Sequence, residues 1–369
     1  MTSAVLLLAP SRGLGGGIER LVATVESALD RGGVPHRRLD LRRPGQRPTP
    51  VAKARFLYRV DRAVRASDRP VRLVLAHRNL LPAVRLAARL PQYRGASVIL
   101  HGSEVWSGRP RHARVLRRPE VRAVAVSGYT AGALARTCPA TVLYPGVSPE
   151  WYDTLTRQTP RRADPDRLRL VTAFRLAAWR AKGLDILLRA VELLGDDRVR
   201  LTVCGTGPVP ADLRAEVARH PWCRVAADLG DDALAGQLAA ADLFVLCTRT
   251  RAGRGARSSG EGFGLALLEA QLAGTPVVAP AFGGSTEAFQ PGITGLTPVD
   301  ETPEALAGVL AELFADHAAL AALGRAAADW ARVRYEPAAH GRQMVRALLS
   351  DPAGDTPPGN ILTGGDGVD

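Results

Sequence analysis

Lysine is almost absent from this chain. Of the 49 basic residues among 369, Lys53 and Lys182 are the two lysines, and arginine supplies the other 47. Such an excess of arginine is typical of a compositional bias that places charge on solvated surfaces. A lysine that remains offers a compact ammonium group, which suits a phosphate oxygen where a planar guanidinium does not fit. Because Lys182 directly precedes Gly183 at the start of an apolar stretch, we take it as a candidate phosphate ligand.

Cysteine and long hydrophobic runs are also scarce. The four cysteines show no close spacing of the kind that binds zinc, so we expect a reduced, cytoplasmic setting and no zinc site. No apolar run approaches the roughly 18 residues that a membrane-spanning helix needs. The short apolar run at the start of the chain lacks a preceding basic segment, which predicts a buried strand rather than a signal peptide.

Positive charge is concentrated in the first part of the chain. Residues 1–150 hold 26 Lys and Arg against 9 Asp and Glu, a net charge of +17, whereas the whole chain carries +13 and the remainder therefore −4. The candidate anionic partners are a membrane surface, a phosphorylated or lipid-diphosphate acceptor, and nucleic acid. Nucleic acid is disfavoured because this region lacks a binding motif and aromatic stacking residues. Solvated arginines without a partner remain the alternative, and peripheral contact with the inner membrane face is compatible with a cytoplasmic protein.

Alternating apolar strands and amphipathic helices form two series. Continuous apolar strands separated by helices predict a parallel sheet covered on both faces, and the length of the chain favours two domains. The first series lies within residues 1–147 and the second within 168–335, with a linker rich in Pro, Arg and Asp at 148–167. The sequence thus predicts an α/β protein of two doubly wound, Rossmann-like domains that face each other across a cleft. The tail at 351–369 is predicted to be disordered.

The most informative segment runs from Glu261 to Glu269. Its two carboxylates bracket a turn with Gly262 and Gly264 and the first turns of a predicted apolar helix, which ends near Gly274. Amide groups without partners at the start of such a helix attract an anion such as a diphosphate, and the glycines let a ligand approach the backbone. The second carboxylate lies about 7 Å along the helix, so the two can hold hydroxyl groups on opposite sides of the phosphates. A nucleotide sugar has this arrangement of sugar, diphosphate and ribose.

Another glycine-rich loop follows the first predicted strand. Residues from Gly13 to Gly17 lead into a helix, as phosphate-binding loops do. A dinucleotide-binding fingerprint would need glycine or alanine where Ile18 stands, so a dehydrogenase is disfavoured.

The string Glu261-Gly-Phe-Gly-Leu-Ala-Leu-Leu-Glu269 resembles the E-x7-E signature of retaining GT-B glycosyltransferases of the glycosyltransferase 4 type. The resemblance covers most of residues 1–350 and implies a GT-B fold, whose terminal helix at about 336–350 crosses back onto the first domain after a break at Pro337. It also implies a nucleotide-diphosphate sugar as donor, with UDP or GDP as the nucleotide, a hydroxyl acceptor, and no metal or other cofactor.

The resemblance assigns roles on the donor side. It implies that Lys182 and Arg175 neutralise the departing diphosphate, with Arg180 as an alternative to Arg175 because two extra residues separate the pair here. It further implies that Glu261 orients the sugar and that Glu269 holds the ribose hydroxyls. The remaining donor-binding positions that it implies are Gly16 and Gly17 across the cleft, Gly205, Asp228 and Leu229 on the nucleotide side, and Gly262, Phe263, Gly264 and Leu265 at the helix start.

Two histidine loops follow strands of the first domain. The string His101-Gly-Ser-Glu104 resembles a loop of the same family that lies beside the reacting sugar, which implies that His101 grips a sugar hydroxyl and that Glu104 contacts the acceptor. His77 is a candidate on the acceptor side, with a role in capping its own loop as the alternative. The other histidines are expected at the surface; they are His36, His112, His220, His317 and His340.

Three features leave alternatives open. The segment 248–260, with four arginines and three glycines, is predicted to be a mobile basic loop that closes over the diphosphate, contacts an anionic acceptor or is simply solvated. Asp164 and Asp166 resemble a metal-binding Asp-x-Asp pair but precede their strand, so no metal site is expected. A pseudo-glycosyltransferase, or a non-catalytic protein that binds nucleotide sugars, would share the same binding residues and remains the alternative function.

Overall fold

Two six-stranded parallel sheets, one in each half of the chain, form the framework of the protein. The computed structural model describes residues 3–350 apart from 14, 44–45, 47–48, 107–109, 161–163, 165 and 252–258. Helices flank both sheets, which confirms the predicted α/β fold with two doubly wound units. The tail that is predicted to be disordered, 351–369, lies outside the described residues.

The first sheet is built from strands with continuous apolar runs. Its strands are β1 (Ala4–Ala9), β2 (His36–Asp40), β3 (Val71–Leu75), β4 (Tyr93–Leu100), β5 (Val121–Ala125) and β6 (Ala140–Val142). They lie in the order β2-β1-β3-β4-β5-β6. The helices of this half are α1 (Gly17–Arg31), α2 (Pro50–Arg65), α3 (Pro82–Ala87), α4 (Ser103–Trp106), α5 (Pro110–Leu116) and α6 (Gly128–Leu134). All residues of β3 are buried, as in a sheet covered on both faces.

The second sheet has the strand order of a dinucleotide-binding fold. Its strands are β7 (Leu168–Arg175), β8 (Val199–Thr206), β9 (Cys223–Ala227), β10 (Leu243–Val245), β11 (Val277–Val278) and β12 (Gly295–Leu296). They lie in the order β12-β11-β10-β7-β8-β9, so the strand order reverses beside β7. Its helices are α8 (Leu184–Leu194), α9 (Ala211–Val217), α10 (Asp231–Ala239), α11 (Leu265–Leu272), α12 (Pro303–Ala315) and α13 (His317–Arg334).

The segment predicted to be a linker contains a helix. α7 (Pro149–Thr156) begins after Ser148, whose hydroxyl accepts a hydrogen bond from the amide of Trp151. Proline at the first helical position and serine at the cap form a strong start signal, which the Pro- and Arg-rich composition of 148–167 obscured. The indole of Trp151 is buried and packs into the central core of the molecule.

The last helix returns to the first domain. α14 (Pro337–Leu349) starts after a break at Tyr335 and Glu336, and the Glu336 carboxylate accepts hydrogen bonds from the first amides of the helix. α14 packs on α1, and its Leu348 carbonyl accepts a hydrogen bond of 2.6 Å from Ser97 on β4. Proline has no amide hydrogen to donate and disfavours a helical conformation in the residue before it, so Pro337 begins a new helix rather than continuing α13.

The expected surface position of the unassigned histidines is wrong for His220 and His340. They are 6% and 5% exposed. His340 lies on α14 against Gly146, where a methyl group on that glycine would approach its ring to 2.4 Å. Burial lowers the pKa of His340 to about 4, so this imidazole is neutral in the folded protein. The error arose because neither histidine belongs to a motif, and burial of a single ring depends on tertiary packing.

No single helix among the described residues is long and apolar enough to cross a membrane. In the part of the chain that the structure describes, one pair of consecutive helices, α12 and α13, meets that length and composition when taken together, and a bend of 100° separates the two.

Candidate active site

The glycine loop after β1 is folded around one carboxylate. Glu19 in the first turn of α1 accepts hydrogen bonds from Ser11 Oγ (2.5 Å), Gly13 N (2.9 Å) and Gly15 N (3.0 Å). The backbone at Gly15 and Gly16 has positive φ angles of 68° and 94°, which favour glycine. Glu19 directly follows this glycine loop and Ile18 in the sequence, but its role as the centre of the loop was not predicted.

The same loop touches the second domain. The guanidinium of Arg175, at the end of β7, donates a 2.9 Å hydrogen bond to the Gly15 carbonyl. A methyl group on Gly16 would approach this guanidinium to 2.7 Å, and one on Gly17 would lie 3.5 Å from Leu265 at the start of α11. The structure thus brings Gly16, Gly17, Arg175 and Leu265 together across the cleft.

Lys182 forms an ion pair with the first glutamate of the signature. Its Nζ lies 2.7 Å from Glu261 Oε2, and the same oxygen accepts a 2.9 Å hydrogen bond from Thr248 in the segment that follows β10. Gly183 makes this approach feasible, because a methyl group there would lie 1.8 Å from the Cys247 carbonyl oxygen. The cation is thereby held at the carboxyl ends of β7 and β10, where ligands bind in such sheets.

The turn before α11 packs against the first domain through its backbone. A methyl group on Gly262 would overlap the carbonyl oxygen of His101, and Phe263 beside it is only 3% exposed. Gly264 lies directly before α11 with a φ of 86°, and within the described residues no side chain caps the helix start. Amides at an uncapped helix start attract anions, and this start faces the glycine loop through Leu265.

Glu269 is buried rather than open to solvent. It is 6% exposed, and its Oε1 accepts a 2.9 Å hydrogen bond from the indole of Trp151. Arg20 Nε from α1 lies 3.5 Å from the same oxygen. Burial raises the pKa of this carboxyl, while the charge of Arg20 and the indole hydrogen bond act in the opposite direction. The proposed contact of Glu269 with ribose stays a prediction.

Asp228 connects the two loops that follow β8 and β9 of the second sheet. Its side chain accepts a 2.7 Å hydrogen bond from Gly207 N, and its own amide donates to the Gly205 carbonyl. Among the described residues other than glycine, Asp228 is the one with a positive φ, of 49°, which aspartate tolerates better than most residues. A methyl group on Gly205 would approach the Phe174 carbonyl to 2.4 Å, and Leu229 is half-buried next to the pair.

The two arginines that were candidates for the diphosphate point in different directions. Arg180 stacks on the ring of Trp179, 4.1 Å from its centroid, and forms an ion pair with Asp212 on α9. Arg175 instead extends to the glycine loop of the first domain. Of the two, Arg175 is therefore the one that lies in the cleft.

The histidine loops lie side by side at the carboxyl ends of β3 and β4. His101 Nε2 donates to the Ala76 carbonyl at 2.7 Å, so Nδ1 is the ring nitrogen that takes no part in this contact. The His77 ring is nearly parallel to it at 5.9 Å, accepts a hydrogen bond from Asn79 N, and has its pKa lowered to about 4 by burial. Glu104 accepts a 2.5 Å hydrogen bond from the His101 amide, so it shapes its own loop.

The arginine-rich segment is anchored at its base. Arg251 and Ser259 pair as antiparallel backbone, and the Glu301 carboxylate accepts the Thr250 amide at 2.9 Å. Arg249 forms an ion pair of 2.5 Å with Asp185 on α8. The centre of the segment, 252–258, lies outside the described residues, so its predicted mobility and contacts stay predictions.

One contact between the domains had no signal in the sequence. Glu287 of the second domain accepts hydrogen bonds from Gly128 N (2.7 Å) and Tyr129 N (2.8 Å) at the start of α6 in the first domain. Glu287 is 159 and 158 positions away from these two residues, and it belongs to no string that the sequence singled out. Like the contact of Arg175, this pair of hydrogen bonds joins the two domains.

Comparison with known proteins agrees with this geometry. The family model for glycosyl transferases group 1 matches residues 167–316. A GDP-mannose-dependent alpha-(1-6)-phosphatidylinositol monomannoside mannosyltransferase of Mycobacterium tuberculosis is 33% identical over 279 residues, 69% of this chain and 69% of the relative. A D-inositol 3-phosphate glycosyltransferase of Streptomyces avermitilis is 33% identical over 205 residues, 51% of this chain and 42% of the relative.

Solved structures share the fold at low sequence identity. HepE of Anabaena, in complex with UDP and glucose, superposes with a TM-score of 0.67 at 18% identity, over 92% of this chain and 98% of that one. Sucrose-phosphate synthase of Thermosynechococcus elongatus superposes with a TM-score of 0.74 at 16% identity, over 93% and 98%. At these identities the likeness concerns the architecture of two facing domains.

Proposed function

The chain belongs to the group 1 glycosyltransferases, of the glycosyltransferase 4 type, which transfer a sugar from a nucleotide sugar, and on that premise we propose how it does so. The proposed reaction is the metal-independent transfer of a hexose to a hydroxyl group, with retention of the anomeric configuration. The proposed donor is GDP-mannose, with UDP-sugars second, and the proposed acceptor is a glycoside carried on an anionic lipid.

The observation that supports metal independence is the convergence of positive groups at one point of the cleft. Arg175 and the start of α11 both meet the glycine loop, and Lys182 pairs with Glu261, whose side chain lies beside Gly264 at that uncapped helix start. A departing diphosphate at that point would meet two cations and a helix start. Fixed charges in a closed site stabilise a leaving group strongly, which is the role a metal ion has in other transferases.

For a retaining reaction, the way the nearby carboxylates are engaged favours a single displacement over a covalent intermediate. A covalent intermediate would need a carboxylate free to attack the sugar. Among the described residues of the cleft, Glu261 is paired with Lys182, and Glu104 is bonded to the amide of His101. We therefore favour attack by the acceptor on the face that the diphosphate leaves, with the phosphate taking the acceptor proton. Closure of the domains would exclude water from this step.

The acceptor proposal is supported by α2. This helix buries Phe56, Val60 and Val64 toward the first domain and exposes Val51 (67%) and Tyr58 (64%). Its exposed basic side chains are Lys53, Arg55, Arg59, Arg62 and Arg65. A basic helix with exposed apolar residues is suited to an anionic membrane surface, where such a lipid acceptor would lie.

A depression of about 530 Å³ lies at the start of α2. Arg43, Arg55 and Arg59 line it together with Gln46, Thr49 and Asp40, whose carboxylate is paired with Arg12 and Arg38. This collection of cations and hydrogen-bonding groups suits the headgroup phosphate of a lipid acceptor. The relative from Mycobacterium tuberculosis acts on a phosphatidylinositol monomannoside, which carries such a phosphate.

The two lysines of the chain provide a matched test of the donor proposal. We expect GDP-mannose to raise the melting temperature of the wild type, in EDTA, more than UDP-sugars do. Lys182→Met should abolish this shift and lower the transfer rate by about a hundredfold, because the diphosphate loses a charge-assisted contact. Lys53→Met, on the exposed face of α2, should keep the shift.

Transfer itself is measured as GDP release with vesicles that contain a phosphatidylinositol mannoside. Release that requires the vesicles, continues in EDTA and is lost in Lys182→Met would support the proposal. Donor binding without any release, over a range of hydroxyl acceptors, would contradict it, as would strict dependence on a divalent cation.

A further inference from the structure

Arg20, in the first turn of α1, extends from the first domain to two carboxylates of the second. Its Nη2 donates to Asp231 Oδ1 at 2.8 Å, and its Nε lies 3.5 Å from Glu269 Oε1. The guanidinium also stacks on the ring of Trp151, 4.3 Å from the ring centroid. One planar cation thus joins α7, α10 and α11 to the first domain.

The contacts of Arg20 lie next to loops that are predicted to bind the nucleotide sugar. Arg20 follows the glycine loop, which touches Arg175 across the cleft. Asp231 opens α10 immediately after the loop of Asp228 and Leu229, which is predicted to meet the nucleotide. The two carboxylates that Arg20 contacts therefore flank the expected nucleoside. Because Arg20 stands on one domain and both carboxylates on the other, its contacts require a closed cleft.

The environment of Glu269 explains what Arg20 contributes. The carboxylate is 6% exposed, and its Oε1 already accepts the Trp151 indole. A buried carboxylate ionises only with compensating partners. The charged groups that act on it are Arg20 from α1, which lowers its pKa, and Asp231 from α10, which raises it. By binding Asp231 as well, Arg20 also offsets the repulsion between the two carboxylates.

We propose that Arg20 is a positioning residue for the donor: on domain closure it fixes Glu269 in the orientation that accepts hydrogen bonds from the ribose hydroxyls, so that nucleotide binding and closure favour each other. This inference rests on the proposed function, in which Glu269 is the ribose ligand. Arg20 itself acts through Glu269 and need not touch the nucleotide.

A double-mutant cycle tests whether Arg20 acts through Glu269. GDP affinity is measured by titration calorimetry for the wild type, Arg20→Gln, Glu269→Gln and the double variant, with UDP in parallel. We expect Arg20→Gln to weaken binding about tenfold in the wild-type background, a usual size for coupled sites, and to have almost no effect when Glu269→Gln is present. Arg31→Gln, at the other end of α1, is the control and should bind as the wild type does. Additive losses would overturn the inference.

The pH dependence of binding supplies a readout that a purely structural role would not change. Loss of Arg20 removes a charge that lowers the pKa of Glu269, so this pKa rises further. As the solution is acidified, GDP affinity should therefore decline at a higher pH in Arg20→Gln than in the wild type. Arg20→Lys should restore the wild-type pH profile but only part of the affinity, because a single ammonium replaces the planar fork. Identical profiles for the wild type and Arg20→Gln would contradict the inference.

A nucleotide without ribose hydroxyls distinguishes a failure of this inference from a failure of the proposed function on which it rests. If the wild type bound GDP and 2′,3′-dideoxy-GDP equally well, the ribose contact of Glu269 would be wrong, and the inference would fall with it. If the wild type preferred GDP and Arg20→Gln kept both that preference and the affinity, only the inference would fail. A preference that is lost in Arg20→Gln and in Glu269→Gln alike would support it.

Discussion

The two walls of the cleft differ in what they present to a ligand. The wall of the second domain is made of side chains that hold one another, as in the ion pair of Lys182 with Glu261 and the buried Glu269. The wall of the first domain is made largely of backbone, in the glycine loop around Glu19 and in the loop of His101. Beyond its loops, the first domain exposes arginines along α2.

Under the proposed function, this difference reflects separate tasks of the two walls. A nucleotide diphosphate has fixed charges and hydroxyls, so a wall that binds it benefits from side chains locked in place before binding. A wall that admits an acceptor and closes over the donor needs close approach, which glycine allows and bulky residues prevent. The net charge follows the same division, with +17 on residues 1–150 and −4 on the rest.

The largest effect is expected from a substitution of Glu261 in the wall of the second domain, here called the donor wall. Glu261→Gln removes the negative charge that holds Lys182 but keeps one oxygen that can accept from the Thr248 hydroxyl, so the transfer rate should fall by about a thousandfold with little loss of folded protein. The measurement is initial-rate GDP release. Glu312→Gln, an exposed glutamate on α12, is the control and should retain the wild-type rate. A Glu261→Gln rate within tenfold of the wild type would mean that the donor wall has been assigned to the wrong residues.

The backbone contact between Gly262 and His101 should be sensitive to the addition of a single methyl group. Gly262→Ala would place that group on the His101 carbonyl, so the cleft could not close as it does here. We expect about a hundredfold lower transfer, while GDP still binds to the second domain. Gly308→Ala on α12, where a methyl group meets open space, is the matched control and should be silent or slightly stabilising. Normal turnover in Gly262→Ala would show that the backbone contact is not part of the reactive state.

The packing of His340 on α14 against Gly146 should make the stability of the protein depend on pH in the acidic range. Because burial lowers the pKa of His340 to about 4 from the ordinary 6.5, its contribution to stability is fully present above pH 6.5 and is lost as the pH falls toward 4. The loss amounts to about 3 kcal/mol of unfolding free energy. His340→Asn should be less stable at neutral pH yet show a flatter decline below pH 6.5 in chemical denaturation. His77, which is shifted the same way, leaves part of the slope in place. An unchanged slope would show that His340 does not titrate as a buried group.

The smallest effect is expected from the exposed arginines of the first wall. Arg62→Gln should weaken binding to vesicles with anionic lipid about fivefold at low salt, since each basic residue near such a surface contributes about 1 kcal/mol. GDP affinity should not change. Arg325→Gln, on an exposed position of α13, is the control. Equal vesicle binding by both variants and the wild type would leave the charge of the first domain without a membrane role.

The donor wall was more predictable from sequence than the contacts that close it. Lys182, Glu261 and Gly264 lie in short strings or beside strand ends, so local patterns were enough to find them. Trp151 and Glu287 were missed because their partners are 118 to 159 positions away, and only packing brings them together. Both are ordinary residues in unremarkable segments, and one of those segments was expected to be a linker.

The fold was predictable for a related reason. Continuous apolar strands such as β3 carry their own signal for a covered parallel sheet, whatever their neighbours are. The choice between Arg175 and Arg180 was not predictable, because it depends on whether a flexible side chain meets Asp212 or the Gly15 carbonyl. The direction of each arginine depends on which groups surround its guanidinium, and the spacing of the two residues in the sequence does not determine those groups.

The anomeric configuration of the product, formed in EDTA, tests the central claim most directly. We predict that purified protein, GDP-α-mannose and a lipid-linked mannoside in EDTA give a new α-linked mannose, identified by the one-bond C–H coupling at its anomeric carbon. That result would require both a metal-independent leaving group and attack on the face that it leaves. A β-linked product, or no product until a divalent cation is added, would contradict the account.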